Sequence, residues 1–413
     1  MFSNTLLTVL SYRDTMMNEY RYLIYLYGMR CLENLSAAKR EDMRIDRIDV
    51  YYVELPLIYP WRTAYGEDAA IDSVLVRMVS GQHVGWGEST PFKAPAYSPE
   101  TAMSVYHTIT EFIAPALVGQ EFETADRLLD TCKWIKGNPF AKAGPEIAWW
   151  LLKADMQKVP LYHLLGGTFR DVEAGADFGV QDSIDMLLGK IEGAVNDGFK
   201  RVKLKVRRGW DLDMLQVVCC TFPRQTFHID CNSGYTLDDI DFFKKVDELE
   251  LAMIEQPLYH NDLLDHAELQ KQIGTPVCLD ESIDSVRAFE WALKLKSCQV
   301  LNIKTGRVGG LSVAVKLHDM ARDAGIPCWV GSMLESGVGA GILVDLATLD
   351  NFTYPGDLFP SRFFYRQDLT EPELVLNDDC TFTPSTVVGI PYNPVHERIE
   401  QVAKLSQTIL PRR

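Results

Sequence analysis

Long apolar runs are missing from this 413-residue chain: no stretch reaches the roughly 18 uninterrupted apolar residues that a membrane-crossing helix needs. An excess of positive charge is missing too. Lys and Arg number 41 against 57 Asp and Glu, a net charge of −16. Nucleic acid and anionic membrane both require a basic face, so neither is expected as a partner. A small carboxylate substrate remains compatible, because a site sets its own local field, and a homo-oligomer stays open. No CxxC pair occurs among the nine cysteines. A disulfide framework belongs to short secreted chains with an even count, so reduced thiols in a cytoplasmic protein are expected. Cys219-Cys220, ending a helical segment, is expected in the core. The glycine-rich run 331–339 has no Gly-Lys-Ser/Thr ending, which speaks against a nucleotide phosphate cradle.

Residues 1–42 carry apolar pieces broken by Arg13, Asp14 and Arg21, without the basic start, clean apolar run and cleavage site of a signal peptide. Strand-like alternation begins after Met43. The expectation is a dispensable leader over 1–42 and a domain proper from Met43.

What the chain does have is length for two packed domains and an ordinary globular composition, 47% hydrophobic and 24% charged. From about residue 172 it repeats a unit: a short β-rich run ending in a polar or charged residue, then a helix-patterned stretch. The runs are Glu173–Val180, Arg201–Val206, Thr226–Asn232, Ala252–Gln256, Pro276–Glu281, Val300–Lys304 and Pro327–Ser332, with a weaker eighth at Asn351–Tyr354. Lys205, Asp230, Glu255, Asp280 and Lys304 follow one another at steps of 25, 25, 25 and 24 residues. That is the length of one βα unit, and several in a row close into a barrel whose chemistry sits at the C-terminal ends of its strands.

Residues 43–165 read differently. Arg47–Leu55 and Ser73–Val79 resemble antiparallel strands. Pro99–Ile113, with Ser98 as N-cap, Glu123–Lys136 and Glu146–Lys158 are expected helices. Gly, Pro and aromatics gather in Tyr59–Asp72 and Thr90–Tyr97, as in loops forming a lid. The expected fold is therefore α/β: a modified (β/α) TIM-type barrel over 166–371, an α+β capping domain over 43–165, and a C-terminal segment, 372–413, packing back on the cap.

Asp230, Glu255 and Asp280 stand on three successive strands, where their oxygens can converge. Three such groups repel unless a cation holds them, and hard oxygen donors select Mg²⁺, or Mn²⁺, over Zn²⁺. Separate strand-end ion pairs are the plainer reading. It explains less, because the lysines sit on flanking strands. Asn232 and Glu281 are expected to orient the ligands. Lys203 and Lys205, two apart on one strand, share a face. Lys205 and Lys304 flank the metal ligands from opposite sides. A lysine beside a dication and another ammonium loses its proton readily and can act as a base. A carboxylate substrate held at the metal would have its α-proton acidified as charge spreads into an enediolate. His228 reads as a core histidine, and Cys231 as pointing away from the metal.

The order Lys-x-Lys, Asp, Glu, Asp-Glu, Lys resembles the muconate-lactonizing-enzyme subgroup of the enolase superfamily. The stretches Tyr259–His266, Thr275–Ile283, Asn302–Gly310, Gly331–Gly337 and Asn351–Asp357 are similar to its o-succinylbenzoate synthase / N-succinylamino acid racemase family. The resemblance runs from about Met43 to the C-terminus. It implies Mg²⁺ on Asp230, Glu255 and Asp280, Lys205 as the general base, and Lys203 bonding the substrate carboxylate. Lys304 would stabilise the enolate or act as the second acid/base. It further implies a succinyl tail on the backbone of Ser332, Met333 and Leu334, with Trp61, Tyr65 and Gly66 closing over the substrate. Arg307 is either a surface group or a tuner of Lys304. The implied activity is o-succinylbenzoate formation by syn dehydration in menaquinone synthesis, or racemisation of N-succinyl or N-acyl amino acids. One position departs from the pattern: Asp177 stands where a small or hydroxyl residue is expected. It either turns to a cationic neighbour or marks a different ligand.

Overall fold

A computed structural model describes residues 43–412; the expected leader, 1–42, lies outside the described residues. Three antiparallel strands open the fold: β1 (Arg47–Thr63), β2 (Gly66–Ser80) and β3 (His83–Ser89). The segment expected as a loop, Tyr59–Asp72, is instead the two arms of the β1–β2 hairpin, with Thr63 paired to Gly66 across its turn. Pro56 and Pro60 supply no N–H to the ladder, and the register shifts between Pro56 and Trp61, so the arm is strand with a local break.

The cap helices also differ from expectation. The first starts at Ala102, not Pro99, with Thr101 rather than Ser98 as its cap, and runs Ala102–Thr108 before continuing through a wider turn, Ile109–Ile113, to the expected end. Thr101 and Ser104 exchange reciprocal side-chain-to-backbone bonds of 3.1 and 2.9 Å. Glu100 is engaged elsewhere: its carboxylate accepts the Phe140 and Ala141 N–H groups at 2.9 Å. That contact anchors the start of helix Pro139–Gln157, longer than the expected Glu146–Lys158 and carrying Pro145 inside it. The helix expected over Glu123–Lys136 is limited to Ala125–Thr131. Helix Pro139–Gln157 lies so close on β3 that a side chain at Gly85 would meet the Ala148 carbonyl at 2.0 Å.

The barrel follows. Its strands are β4 (Ala176–Phe178), β5 (Arg201–Lys205), β6 (Thr226–Asp230), β7 (Ile254–Glu255), β8 (Val277–Leu279), β9 (Val300–Ile303) and β10 (Cys328–Val330). They form one parallel sheet in the order β10-β9-β8-β7-β6-β5-β4. The weak eighth run forms no strand. It closes the ring through two single parallel bridges, Cys328 to Phe352 and Ala174 to Gly356. Arg201 fastens that closure from inside. Fully buried, its guanidinium meets Asp357 at 2.9 Å and the Pro355 carbonyl at 2.6 Å. Gly175 leaves the room it needs, since a Cβ there would lie 2.0 Å from Arg201 Cζ.

Alternation on β5 sets the rest. Val202 and Leu204 face the apolar shell between strands and helices, so Arg201, Lys203 and Lys205 face inward. A second apolar cluster fills the cap and takes in Met333, Leu334, Phe359 and Phe364 from the barrel's last turns, welding cap to barrel. The chain ends in β11 (Ala403–Ile409), which pairs antiparallel with β1. Among the described residues no helix is long and apolar enough to cross a membrane. The eight described cysteines are all unpaired. Cys231 is buried in the barrel's apolar shell, whereas Cys220, expected in the core, is exposed.

Candidate active site

Lys205, Asp230 and Glu255 are the last residues of β5, β6 and β7, in direct register, and Asp280 and Lys304 follow β8 and β9 at once. All five are buried at the mouth. Lys205 Nζ donates to Asp230 Oδ2 at 2.6 Å, and Lys304 Nζ lies 2.9 Å from Asp280 Oδ2. The two lysines thus reach the row of carboxylates from opposite ends, with Glu255 between.

Lys203 differs from its expected role. Its ammonium lies 3.0 Å from Asp230, 2.9 Å from Glu255 and 3.0 Å from Asp357, and 5.1 Å over the Trp329 ring. Three carboxylates thus surround the ammonium, which faces protein groups rather than a substrate carboxylate in this arrangement, and of the three contacts the one to Asp357 has hydrogen-bond geometry. The carboxylates are ion-paired after all, because Lys203 sits between two of them. Among the described residues no three acidic or histidine side chains close round one point. Lys203 and Lys304 are not depressed either. Burial works against the Lys203 charge, but Asp230, Asp357 and Glu255 outweigh it and raise its pKa. Burial likewise opposes charge on Lys304, yet Tyr97, Glu255 and Glu281 raise it. Burial resists ionisation of Asp230, and Lys203 and Lys205 overcome this to hold it well below the usual range.

The donor set nevertheless fits a hard divalent cation. Glu255 Oε2 and Asp280 Oδ2 are buried and accept no hydrogen bond, their ammonium neighbours lying outside bonding geometry. Asn232 Oδ1 and Glu281 Oε2, also at the mouth, are orphaned as well. Buried oxygens without donors are costly, and a cation is what would satisfy them. Asn232 bonds the Glu281 carboxylate at 3.3 Å and its N–H holds Asp230 Oδ1 at 2.9 Å. Burial, then Asp230, pushes the Glu281 carboxyl up to about 7.

Arg307 is no surface group. Buried, it donates to Asp280 and, at 2.6 Å, to the Asn302 carbonyl. His228 is fully buried, bonds Tyr354 at 3.0 Å, and is pushed down to about 4 chiefly by burial, as a neutral core histidine. The turn expected to receive a succinyl tail is occupied from within: Glu335 Oε2 accepts the Met333 N–H at 2.9 Å and the Ser332 hydroxyl at 2.6 Å, and Leu334 N–H bonds Ser332 Oγ at 2.9 Å. Trp61 packs edge-on against Phe364, 5.6 Å between ring centres. Tyr65, in the hairpin turn, faces the charges of Glu281, Lys304 and Asp230, and burial foremost raises its hydroxyl.

Several site residues escaped the sequence reading. Tyr97 donates to Asp280 at 2.9 Å and carries Lys304 4.7 Å over its ring. Asn302 donates to Glu255 at 2.7 Å. Asp357 braces Lys203 and Arg201. Tyr97, Asn302, Asp357 and Glu335 all stood in segments singled out as loop or motif. Nothing in one sequence says that an aromatic loop residue bonds a carboxylate 183 positions away.

Asp177 does not turn to a cation. It pairs in register with Lys203, yet its enclosed Oδ1 accepts no hydrogen bond and it makes no ion pair among the described residues. It borders a cavity of about 480 Å³ beside the mouth, between the hairpin, β4 and the Phe359–Phe364 turn.

Parallel strands closing on acids and lysines at their C-terminal ends, under an α+β cap, define an enolase-type enzyme. Residues 47–166 match the mandelate racemase / muconate lactonizing enzyme N-terminal domain, and 187–390 the enolase C-terminal domain-like family. The chain is 38% identical to an o-succinylbenzoate synthase of Geobacillus kaustophilus, over 88% of this chain and 97% of that one. It is 36% identical to an N-succinylamino acid racemase of Thermus thermophilus, over 84% and 95%. A Listeria innocua enolase-superfamily crystal structure superposes with a TM-score of 0.85 at 34% identity, covering 89% of this chain and 99% of that one. The chain belongs to the mandelate racemase / muconate lactonizing enzyme family of the enolase superfamily and, within it, to the o-succinylbenzoate synthase / N-succinylamino acid racemase group.

Proposed function

We propose that this chain removes the proton next to a substrate carboxylate and acts as an o-succinylbenzoate synthase, dehydrating 2-succinyl-6-hydroxy-2,4-cyclohexadiene-1-carboxylate in menaquinone synthesis. The observation that carries the proton-transfer reading is the pair of lysines that meet one carboxylate row from opposite ends, Lys205 by a hydrogen bond and Lys304 as an ion pair. Asp230, Glu255 and Asp280 would hold Mg²⁺, with Mn²⁺ as substitute. When bound, the cation supplies Lewis-acid stabilisation of the charge that develops on the substrate carboxylate.

The chain's own groups do the rest. Lys205, as free amine, takes the α-proton on one face. Its ammonium then returns that proton to the departing hydroxyl on the same face, so water leaves and the ring becomes aromatic. Lys304, on the other face, offers positive charge to the deprotonated intermediate. Lys203, Asp357 and Arg201 fix the strand that carries Lys205. The succinyl tail is assigned to the Ser332–Leu334 turn, where it competes with Glu335 for the Met333 N–H. Trp61 and Tyr65 would exclude water from above. Asn232, Glu281 and Arg307 orient the metal ligands.

Racemisation of N-succinyl amino acids is the second reading. It is favoured by Lys304, which can deliver a proton to the face opposite Lys205. Side-by-side kinetics on the cyclohexadiene carboxylate and on N-succinyl amino acids, with Mg²⁺, decide between them. Dehydration at a kcat/KM well above racemisation supports the first; the reverse order replaces it with the second.

A further inference from the structure

Asp177 stands apart from the other acids at the mouth. Asp230, Glu255, Asp280, Glu281 and Asp357 each have an ammonium, guanidinium or amide partner, whereas Asp177 has none among the described residues. Burial pushes its carboxyl up to about 6 even though Lys205 and Lys203 pull the other way, so those ammonium groups do not neutralise it. Asp177 is among the residues lining the cavity of about 480 Å³, together with Tyr59, Trp61, Phe359 and Phe364. The cations on that wall are already engaged. Arg62 bonds Glu67 at 2.7 Å and also Asp182, and Lys190 sits 5.3 Å over the Tyr59 ring.

An enclosed carboxylate oxygen without a donor is costly, and the ligand group that relieves it best is a cation. Aromatic walls favour the same kind of group. A second carboxylate in this position would be repelled. The volume suits a side chain of several heavy atoms.

We propose that Asp177 is a specificity-determining residue that pairs with an ammonium or guanidinium group, so that the preferred substrates are N-acyl amino acids with a basic side chain. This rests on the second reading above, in which N-succinyl amino acids are substrates.

The test is α-proton exchange in D₂O, followed by ¹H NMR with Mg²⁺ present, on N-succinyl-L-lysine and on N-succinyl-L-norleucine, which has the same chain length without the ammonium. The wild type is expected to favour the lysine compound by about tenfold or more in kcat/KM, the worth of one charge-assisted contact. In Asp177→Asn and Asp177→Ser the ratio is expected to fall towards one, mainly through KM for the lysine compound. A wild-type ratio near one, or a ratio both variants leave untouched, overturns the role of Asp177 while leaving α-proton transfer standing. No wild-type exchange with either compound overturns the racemase reading itself and, with it, this proposal. Thermal melts identify a variant that fails to fold, and the other then carries the comparison.

Discussion

A proton taken by Lys205 has to leave a carbon facing Lys205, and the 2.6 Å bond to Asp230 fixes where that amine points. Replacing Lys205 by Ala is expected to lower dehydration by about 10²–10⁴-fold, the worth of a positioned base, with the melting temperature little changed. Full dehydratase activity in that variant contradicts the assignment. Asp357 is another matter, for it touches no expected ligand and instead compensates Lys203 and Arg201. Asp357→Ala removes the carboxylate beside buried Arg201 and one of the three beside Lys203, and is expected to cost about 3–5 kcal/mol in urea unfolding. A loss below about 1 kcal/mol would mean that the cations find other partners. At this scale the sequence announced the residues whose spacing repeats. Tyr97 and Asn302 could not be read, because their partners are fixed by chain closure rather than by local pattern.

Turns and hairpins carry the second set of consequences. The loop after β7 is stapled by His266: Leu258 N–H donates to Nε2 at 3.1 Å, while Nδ1 bonds the Asp262 carbonyl. That arrangement requires a neutral ring, and burial above all pushes the imidazole down from 6.5 to about 4. A folded pKa below the unfolded one means the unfolded chain binds more protons in between. The contribution of His266 is therefore whole above about pH 6.5 and declines as pH falls towards 4. His266→Ala is expected to cost about 1–3 kcal/mol at neutral pH and to flatten that acid limb in urea titrations. An unchanged limb would mean His266 is not its source. On the hairpin, Arg62 holds Glu67 and Asp182 in the open, so Arg62→Ala is expected to leave the melting temperature little changed and to act on KM. A large loss of stability would contradict the picture of a surface latch. The hairpin is also where reading by composition failed: Gly, Pro and aromatics marked a loop, yet cross-strand pairing from Trp61 to Thr63 made it strand.

Across the whole molecule, the last strand of the cap is remote in sequence from the rest of its sheet. β11 pairs with β1 from Ile48 to Val53, so the cap is completed only by the C-terminus. Ending the chain before Ala403 should unpair β1 along that edge and yield aggregated protein, whereas a soluble, active product would contradict the need for the strand. The near-constant step between charged strand ends made the barrel legible from sequence. Its closure was not, because the eighth run reaches its neighbours through single bridges and a buried arginine rather than a ladder. The central claim is that Lys205 moves a substrate proton beside a carboxylate-held divalent cation. It is tested most directly by the dehydration rate of the metal-stripped protein, wild type and Lys205→Ala, as Mg²⁺ is added back. The wild type should recover its rate with added Mg²⁺ and the variant should stay inactive throughout. A wild-type rate indifferent to Mg²⁺, or a variant as fast as the wild type, would contradict it.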